Sequence, residues 1–280
     1  MVRFAGRGLE LLAPEFLNPV SPHMHDENRP RKSLPSPSRS TSSPDPMTDY
    51  AAFARLLTST LGPVSAISVS FLDAPPQGIR KFDGTVPSGC SFWKLANEGR
   101  SFYTVPSDHY NCPIGSYTHA IDLPDGRAAE LTGTIELMTG IGYIRAEEVP
   151  GIPRLPRSPA AVAYGPLARA TITPDVVIVK GQPGSLMRLQ EAAMGAGAAS
   201  TLPLFGRPTC MALPASMASG TVLSAGCVGN RVYTGLKDDE LYLMIPGARL
   251  VDVIEQLSVT ESANTTLAEY HTSRRATLTS

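Results

Sequence analysis

Several common resources are scarce in this chain. It has one tryptophan, four cysteines and five histidines in 280 residues. Twenty-four Lys and Arg face 25 Asp and Glu, a formal net charge of -1. Without a basic excess there is no electrostatic footprint for duplex nucleic acid. No apolar run approaches the roughly 18 residues of a membrane span. No glycine-rich dinucleotide fingerprint, Walker loop or G-x-S-x-G elbow occurs in a fitting context, so dinucleotide, P-loop and α/β-hydrolase chemistry lack support. The N-terminus carries Arg3 and Arg7, but Glu10 and Glu15 interrupt what would be the apolar part of a signal peptide. The expected location is therefore a reducing cytoplasm, where long-lived disulfides are uncommon. What remains is 42% hydrophobic residues at near-zero charge, the profile of a globular chain with a sizeable core.

Residues 1–46 stand apart. The stretch "SPHMHDENRPRKSLPSPSRSTSSPDP" has almost no large apolar side chains. It cannot bury enough surface to offset its ordering entropy, so a disordered tail is expected. Met47 follows directly and is a candidate alternative start. A folded domain is expected over 47–260, in two halves at about 47–150 and 160–260, with a flexible tail at 261–280.

Phe53, Leu56, Leu57 and Leu61 recur at helical spacing before Gly62-Pro63. Residues 64–73 read as a strand, and the β-branched run Val176–Val179 as a strand buried on both faces. Residues 133–149 read as one or two strands around Gly140. Residues 183–197 read as a helix, and 238–257 as strand, turn and amphipathic helix. The resulting fold class is mixed α/β (α+β).

The four cysteines form two matched pairs. Cys112 opens Cys-Pro-Ile-Gly-Ser-Tyr-Thr, and Cys227 opens Cys-Val-Gly-Asn-Arg-Val-Tyr-Thr. Cys90 and Cys210 precede them. Pro63 answers Pro174, Cys90 answers Cys210 and Cys112 answers Cys227, at offsets of 111, 120 and 115 residues. The nearly constant offset predicts an internal duplication, two pseudo-repeated halves about a two-fold axis.

These residues resemble the DUF169, or ArCR, family. The resemblance covers about residues 49–258. It rests on the strand after the first helix, Cys90-x5-Ala96-x2-Gly99 and Cys112-Pro-x-Gly. Further motifs are Pro166-Leu167 with Pro174-Asp175-Val176-Val177, Cys210, Gly226-Cys227-x-Gly-x-Arg231, and Asp239-Glu240-Leu241 with Pro246. The resemblance implies no reaction, since the family is defined by sequence. His109-Tyr110-Asn111 and Tyr117-Thr118-His119 flanking Cys112 depart from its pattern.

Thiolates are soft metal ligands and nucleophiles. Four of them drawn together from Cys90, Cys112, Cys210 and Cys227 could hold a [4Fe–4S] cluster or a tetrahedral Zn²⁺. The separations of 22, 98 and 17 residues contain no zinc knuckle. Sulfurs about 3.5–4 Å apart would suit Zn²⁺, and about 6–7 Å a cluster. The plainer alternative is that the cysteines are small core hydrophobes. His109 and His119 bracket Cys112 and are candidates for an additional metal ligand or a base; solvent-facing loop histidines are the alternative. Cys112-Pro113 resembles haem-ligating Cys-Pro pairs, which ranks haem behind the other cofactors. Arg231 could bind an anion, or pair with Asp238, Asp239 or Glu240. The expected function is metal or iron–sulfur binding in redox or cofactor-related metabolism, with a small molecule or redox protein as partner, and no nucleic acid or membrane. The competing class is a non-enzymatic small-ligand or haem-binding module.

Overall fold

In the computed structural model of this chain, residues 48–199 and 207–278 are described. The Ser/Pro-rich segment 1–46 lies outside them.

Helix α1 (Tyr50–Leu61) starts where the Asp49 carboxylate accepts from the Ala52 amide at 2.8 Å, and stops at Gly62, whose φ of +82° suits glycine. Strand β1 (Ser65–Leu72) follows. Then come α2 (Cys90–Asn97), β2 (Phe102–Thr104), α3 (Pro113–Thr118), α4 (Ala128–Gly140) and β3 (Ala161–Pro166). The second half runs β4 (Val176–Gly181), α5 (Pro183–Gly195), α6 (Ala212–Ser219), β5 (Val222–Ser224), α7 (Val228–Thr234), β6 (Leu241–Pro246) and α8 (Leu250–Leu278).

The six strands form one antiparallel sheet in the order β2-β3-β1-β4-β6-β5. β1 and β4 pair at its centre, with Ile67 opposite Ile178 and Val69 opposite Val176. Side chains alternate between faces along each strand. One face carries Val69 and Phe71, Tyr164, Ile178 and Met244, and packs with Phe92 and Trp93 of α2 and Leu213 of α6. The other carries Val177, Val179, Leu243 and Ile245 beneath α1, α5 and α8. The register explains why Val176–Val179 is a continuous apolar run: this strand is central and covered on both sides.

Read outward from the centre, each half of the sheet presents its first, last and middle strand: β1, β3, β2 on one side and β4, β6, β5 on the other. In each half a cysteine opens the first of two short helices on the same face, and a second cysteine the other.

Two expectations are corrected. Residues 133–149 are not strands: 128–140 form α4. Ala, Leu, Glu and Met favour a helix over the β-preference of the interspersed Thr and Ile, and an Arg127–Glu130 ion pair at 2.6 Å braces the first turn. None of the α4 residues is buried, so no sheet was available to draft the segment as a strand. The expected flexible tail at 261–280 is helical as far as Leu278, because α8 continues past the core with exposed side chains.

Candidate functional site

The four cysteines, drawn from segments far apart in sequence, line one cavity of about 520 Å³. It lies above the α2/α6 face of the sheet, where the short helices of both halves meet. The local reason is shared. Cys90 is the first residue of α2, and Cys112 and Cys227 cap α3 and α7. Cys210 sits in a 3₁₀ turn, Thr209–Met211, that runs into α6. Each thiol therefore lies where a loop turns into a helix, close to amide groups that the helix leaves unbonded.

Polar contacts tie the four together. The Ser88 hydroxyl accepts from the Cys90 amide at 3.3 Å and lies 3.6 Å from the Cys112 thiol. The Cys210 thiol donates to the Ile114 carbonyl of the first half at 3.9 Å. The Cys227 amide donates to the hydroxyl of Thr209, the neighbour of Cys210, and the Cys227 sulfur accepts from the Asn230 amide at 3.4 Å. All four cysteines are free thiols.

Their electrostatics are mutually unfavourable. Burial, followed by the nearby Cys112 and Cys227, pushes the Cys90 thiol up to about 12. Burial, followed by Cys112 and Cys90, also raises Cys210 well above the ordinary thiol range. The two innermost thiols thus stay protonated unless a cation enters among them and repays both penalties.

Asn230 adds a second signal. It is 1% exposed and lines the cavity, yet neither polar atom of its side-chain carboxamide has a hydrogen-bond partner within the protein. Its amide approaches Cys90 and would donate to that sulfur once ionised, although the separation falls short of a hydrogen bond with the thiol. A buried, unbonded carboxamide costs about 1–3 kcal/mol; the Cys90 thiol and the Tyr242 hydroxyl are the polar groups it approaches. Gly226, at φ +72°, leaves the room: a Cβ there would lie 2.9 Å from the Asn230 Oδ1 and 2.6 Å from Leu236.

Gly115 serves Cys112 in the same way. A Cβ at Gly115 would lie 2.7 Å from the Cys112 Sγ, so only glycine lets the thiol fold over the first turn of α3. Gly115→Ala is expected to displace that sulfur and speed alkylation of Cys112, read by peptide mass mapping. Stability should change by no more than about 1 kcal/mol, because alanine is the better helix former. Unchanged labelling would contradict this packing.

The walls of the cavity are apolar. Leu137, Met138 and Ile141 from the end of α4 face Val228 and Tyr233 of α7. Leu137, Ile141 and Val228 are 61%, 69% and 65% exposed. Leu137, Met138 and Ile141 escaped the sequence reading because α4 was read as strands. Asn230 escaped it because nothing in the sequence marks an asparagine as buried.

The histidines lie elsewhere. His109 and His119 are buried at 1% and 2% exposure beside one another, ring centroids 5.7 Å apart, under the Cys112 loop. Neither lines the cavity. His109 Nε2 shares a 2.8 Å hydrogen bond with Thr104, and Phe71 and Phe92 flank the pair. Burial, with the charge of His119 second, lowers His109 to about 3, and burial lowers His119 to about 4. Both are neutral imidazoles of the core rather than solvent-facing loop residues. Arg231 braces its own loop, donating to the carbonyls of Ala225 and Lys237 and pairing with Asp238 at 3.2 Å. Among the described residues, no three His, Cys, Asp or Glu side chains are grouped as ligands of a single metal ion, and no helix is long and apolar enough to cross a membrane.

Comparison with known proteins gives a family and no activity. No solved structure matches the chain. An uncharacterized protein of Methanocaldococcus jannaschii is 24% identical over 177 residues, covering 60% of this chain and 75% of that relative. The family described as uncharacterised ArCR, DUF169, matches residues 57–256, a span that contains all four cysteines and every strand of the sheet. The chain belongs to the DUF169 (ArCR) family.

Proposed function

We propose that Cys90, Cys112, Cys210 and Cys227 together hold a [4Fe–4S] cluster, and that the protein serves redox or cofactor-related metabolism with a redox partner. One observation carries this reading: four thiols separated by 22, 98 and 17 residues line a single cavity. Cluster assembly would replace four S–H bonds with Fe–S bonds and release four protons, which relieves the cost of ionising buried thiols. A donor such as the Asn230 amide beside Cys90 is the kind of outer contact that tunes such clusters. The matching order of strands and cysteine-led helices in the two halves also supports an internal duplication, which would make the cluster site a product of the pseudo-two-fold arrangement.

The test is anaerobic purification and reconstitution followed by iron, sulfide and zinc analysis. About four iron and four sulfide per chain with broad absorption near 400 nm are expected, and Cys210→Ser or Cys227→Ser should lower both. One zinc per chain without iron, or a protein that retains no metal, overturns the proposal. The apolar walls of Leu137, Ile141 and Val228 favour a second reading, a non-enzymatic small-ligand module. A metal-free protein whose cavity takes up an apolar fluorescent probe would support that alternative.

A further inference from the structure

The second sheet face is unevenly covered. Beneath α1, α5 and α8 it presents Val177, Val179, Leu243 and Ile245. Toward β2 it changes character. The register places Ser68 opposite Gly165 and Ser70 opposite Ala163, so the floor there is hydroxyl and small. This part of the face opens as a depression of about 310 Å³ lined by Ser68, Ser70, Ser101, Gly165, Arg80 and Arg169. A second depression of about 360 Å³ adjoins it, sharing Arg80 and Ser101 and adding Lys81, Asp83 and Arg100. Gly165 is needed for this shape, since a Cβ would lie 2.9 Å from the Ser101 hydroxyl.

The guanidinium groups here have no counter-ion. Other arginines, such as Arg157, Arg188 and Arg249, pair with carboxylates at 2.7–2.8 Å. Among the described residues, Arg80, Arg100 and Arg169 form no ion pair. Arg100 lies over the Phe82 and Phe102 rings at 5.6 and 5.7 Å, and Arg169 donates to the Gly99 carbonyl. Lys81 pairs with Asp108 at 3.6 Å, and Asp83 is the carboxylate that shares a depression with Arg80 and Arg100. In a chain of net charge -1, a trough with this excess of cations is complementary to an anion. Guanidinium forks match phosphate oxygens, and three of them exceed what the two oxygens of one carboxylate accept.

The floor specifies the rest of the ligand. The Ser68 hydroxyl donates to the Gly165 carbonyl at 3.3 Å, and the Ser70 hydroxyl to the Thr173 carbonyl at 3.2 Å. Their protons are committed, so what they offer to the trough is lone pairs. Lone pairs repel phosphate oxygens and accept from hydroxyl groups. We propose that this trough binds a sugar phosphate or comparable phosphorylated polyol, with the phosphate on Arg80, Arg100 and Arg169 and the hydroxyls on Ser68 and Ser70. The serine floor of the site lies on the face opposite the cysteine cavity, and the site does not depend on what that cavity holds.

Ribose 5-phosphate is the probe, titrated calorimetrically into the full chain beside inorganic phosphate and ribose. Binding of ribose 5-phosphate is expected at least about ten-fold tighter than that of inorganic phosphate, because hydroxyl contacts add to the charge-assisted ones. Arg80→Gln and Arg100→Gln, both at exposed positions, should each weaken it several-fold, and Ser70→Ala should remove the advantage over inorganic phosphate. Thermal unfolding verifies that each variant is folded, and Arg55→Gln on α1 serves as a charge control. Absence of saturable ribose 5-phosphate binding overturns the proposal. So does equal affinity for inorganic phosphate, or a loss in Arg55→Gln that matches the loss in Arg80→Gln.

Discussion

Lowering the pH from about 7.5 to about 5 is expected to remove about 4 kcal/mol of folding stability through His109 and His119 alone, at about 1.4 kcal/mol per pH unit for each imidazole. Both are buried and neutral, lowered from 6.5 to about 3 and about 4 by burial, with the neighbouring imidazole adding to the effect at His109. In the unfolded chain they take up protons as the pH drops below about 6.5, while the folded chain does not until much lower. The contribution is therefore complete above about pH 6.5 and is lost progressively as the pH falls toward the folded values. Three of their four ring nitrogens have no partner inside the protein, so no internal acceptor stabilises a charged form. Urea unfolding of the wild type and of a His109→Gln, His119→Leu double variant, each at both pH values, separates this effect from that of the carboxylates. Parallel pH dependence in the two proteins would falsify the assignment. The pair lies under the loop that ends in Cys112, so the same acid step is expected to loosen one corner of the cysteine cavity first.

Trp93→Ala is expected to cost about 3–5 kcal/mol, the range for deleting a large buried aromatic side chain. Trp93 is 1% exposed and packs edge-on against Tyr242, with centroids 5.6 Å apart. It sits one turn after Cys90 on α2 and holds that helix on the sheet. Removing it leaves a cavity between α2 and β6 that neighbouring side chains cannot fill without moving the helix. Far-UV circular dichroism in denaturant measures the loss, since the variant has no tryptophan left to report. A loss below about 1 kcal/mol would show that α2 is held mainly by other contacts. Cys90 alkylation should rise in parallel, linking the packing of this one residue to the geometry of the site.

The long strands were legible because their pattern is local. β4 is a β-branched run, and α1 ends at a Gly-Pro pair that stops a helix wherever it occurs. α4 was not legible. Its Thr and Ile residues suit a strand, and only its position outside the sheet leaves helix preference to decide. His109 was misread for a related reason. Polar neighbours at Ser107 and Asp108 suggest a loop on the surface, but a 3₁₀ turn rotates the imidazole inward against Phe92.

The sequence by itself determined that four cysteines occur in two matched contexts, within the family span and in a chain of balanced charge. It contains nothing that brings residues 90 and 210 together. Only the tertiary structure decided that. Antiparallel pairing of β1 with β4 sets the two halves side by side, and the helices they carry meet on one face. The same pairing separated the histidines from the sulfurs, buried Asn230 among them, and set Ser68 and Ser70 in a depression with Arg80 and Arg169 on the other face. Spacing along a chain reports which groups are available; strand register and helix packing, which are non-local, select the groups that share a cavity.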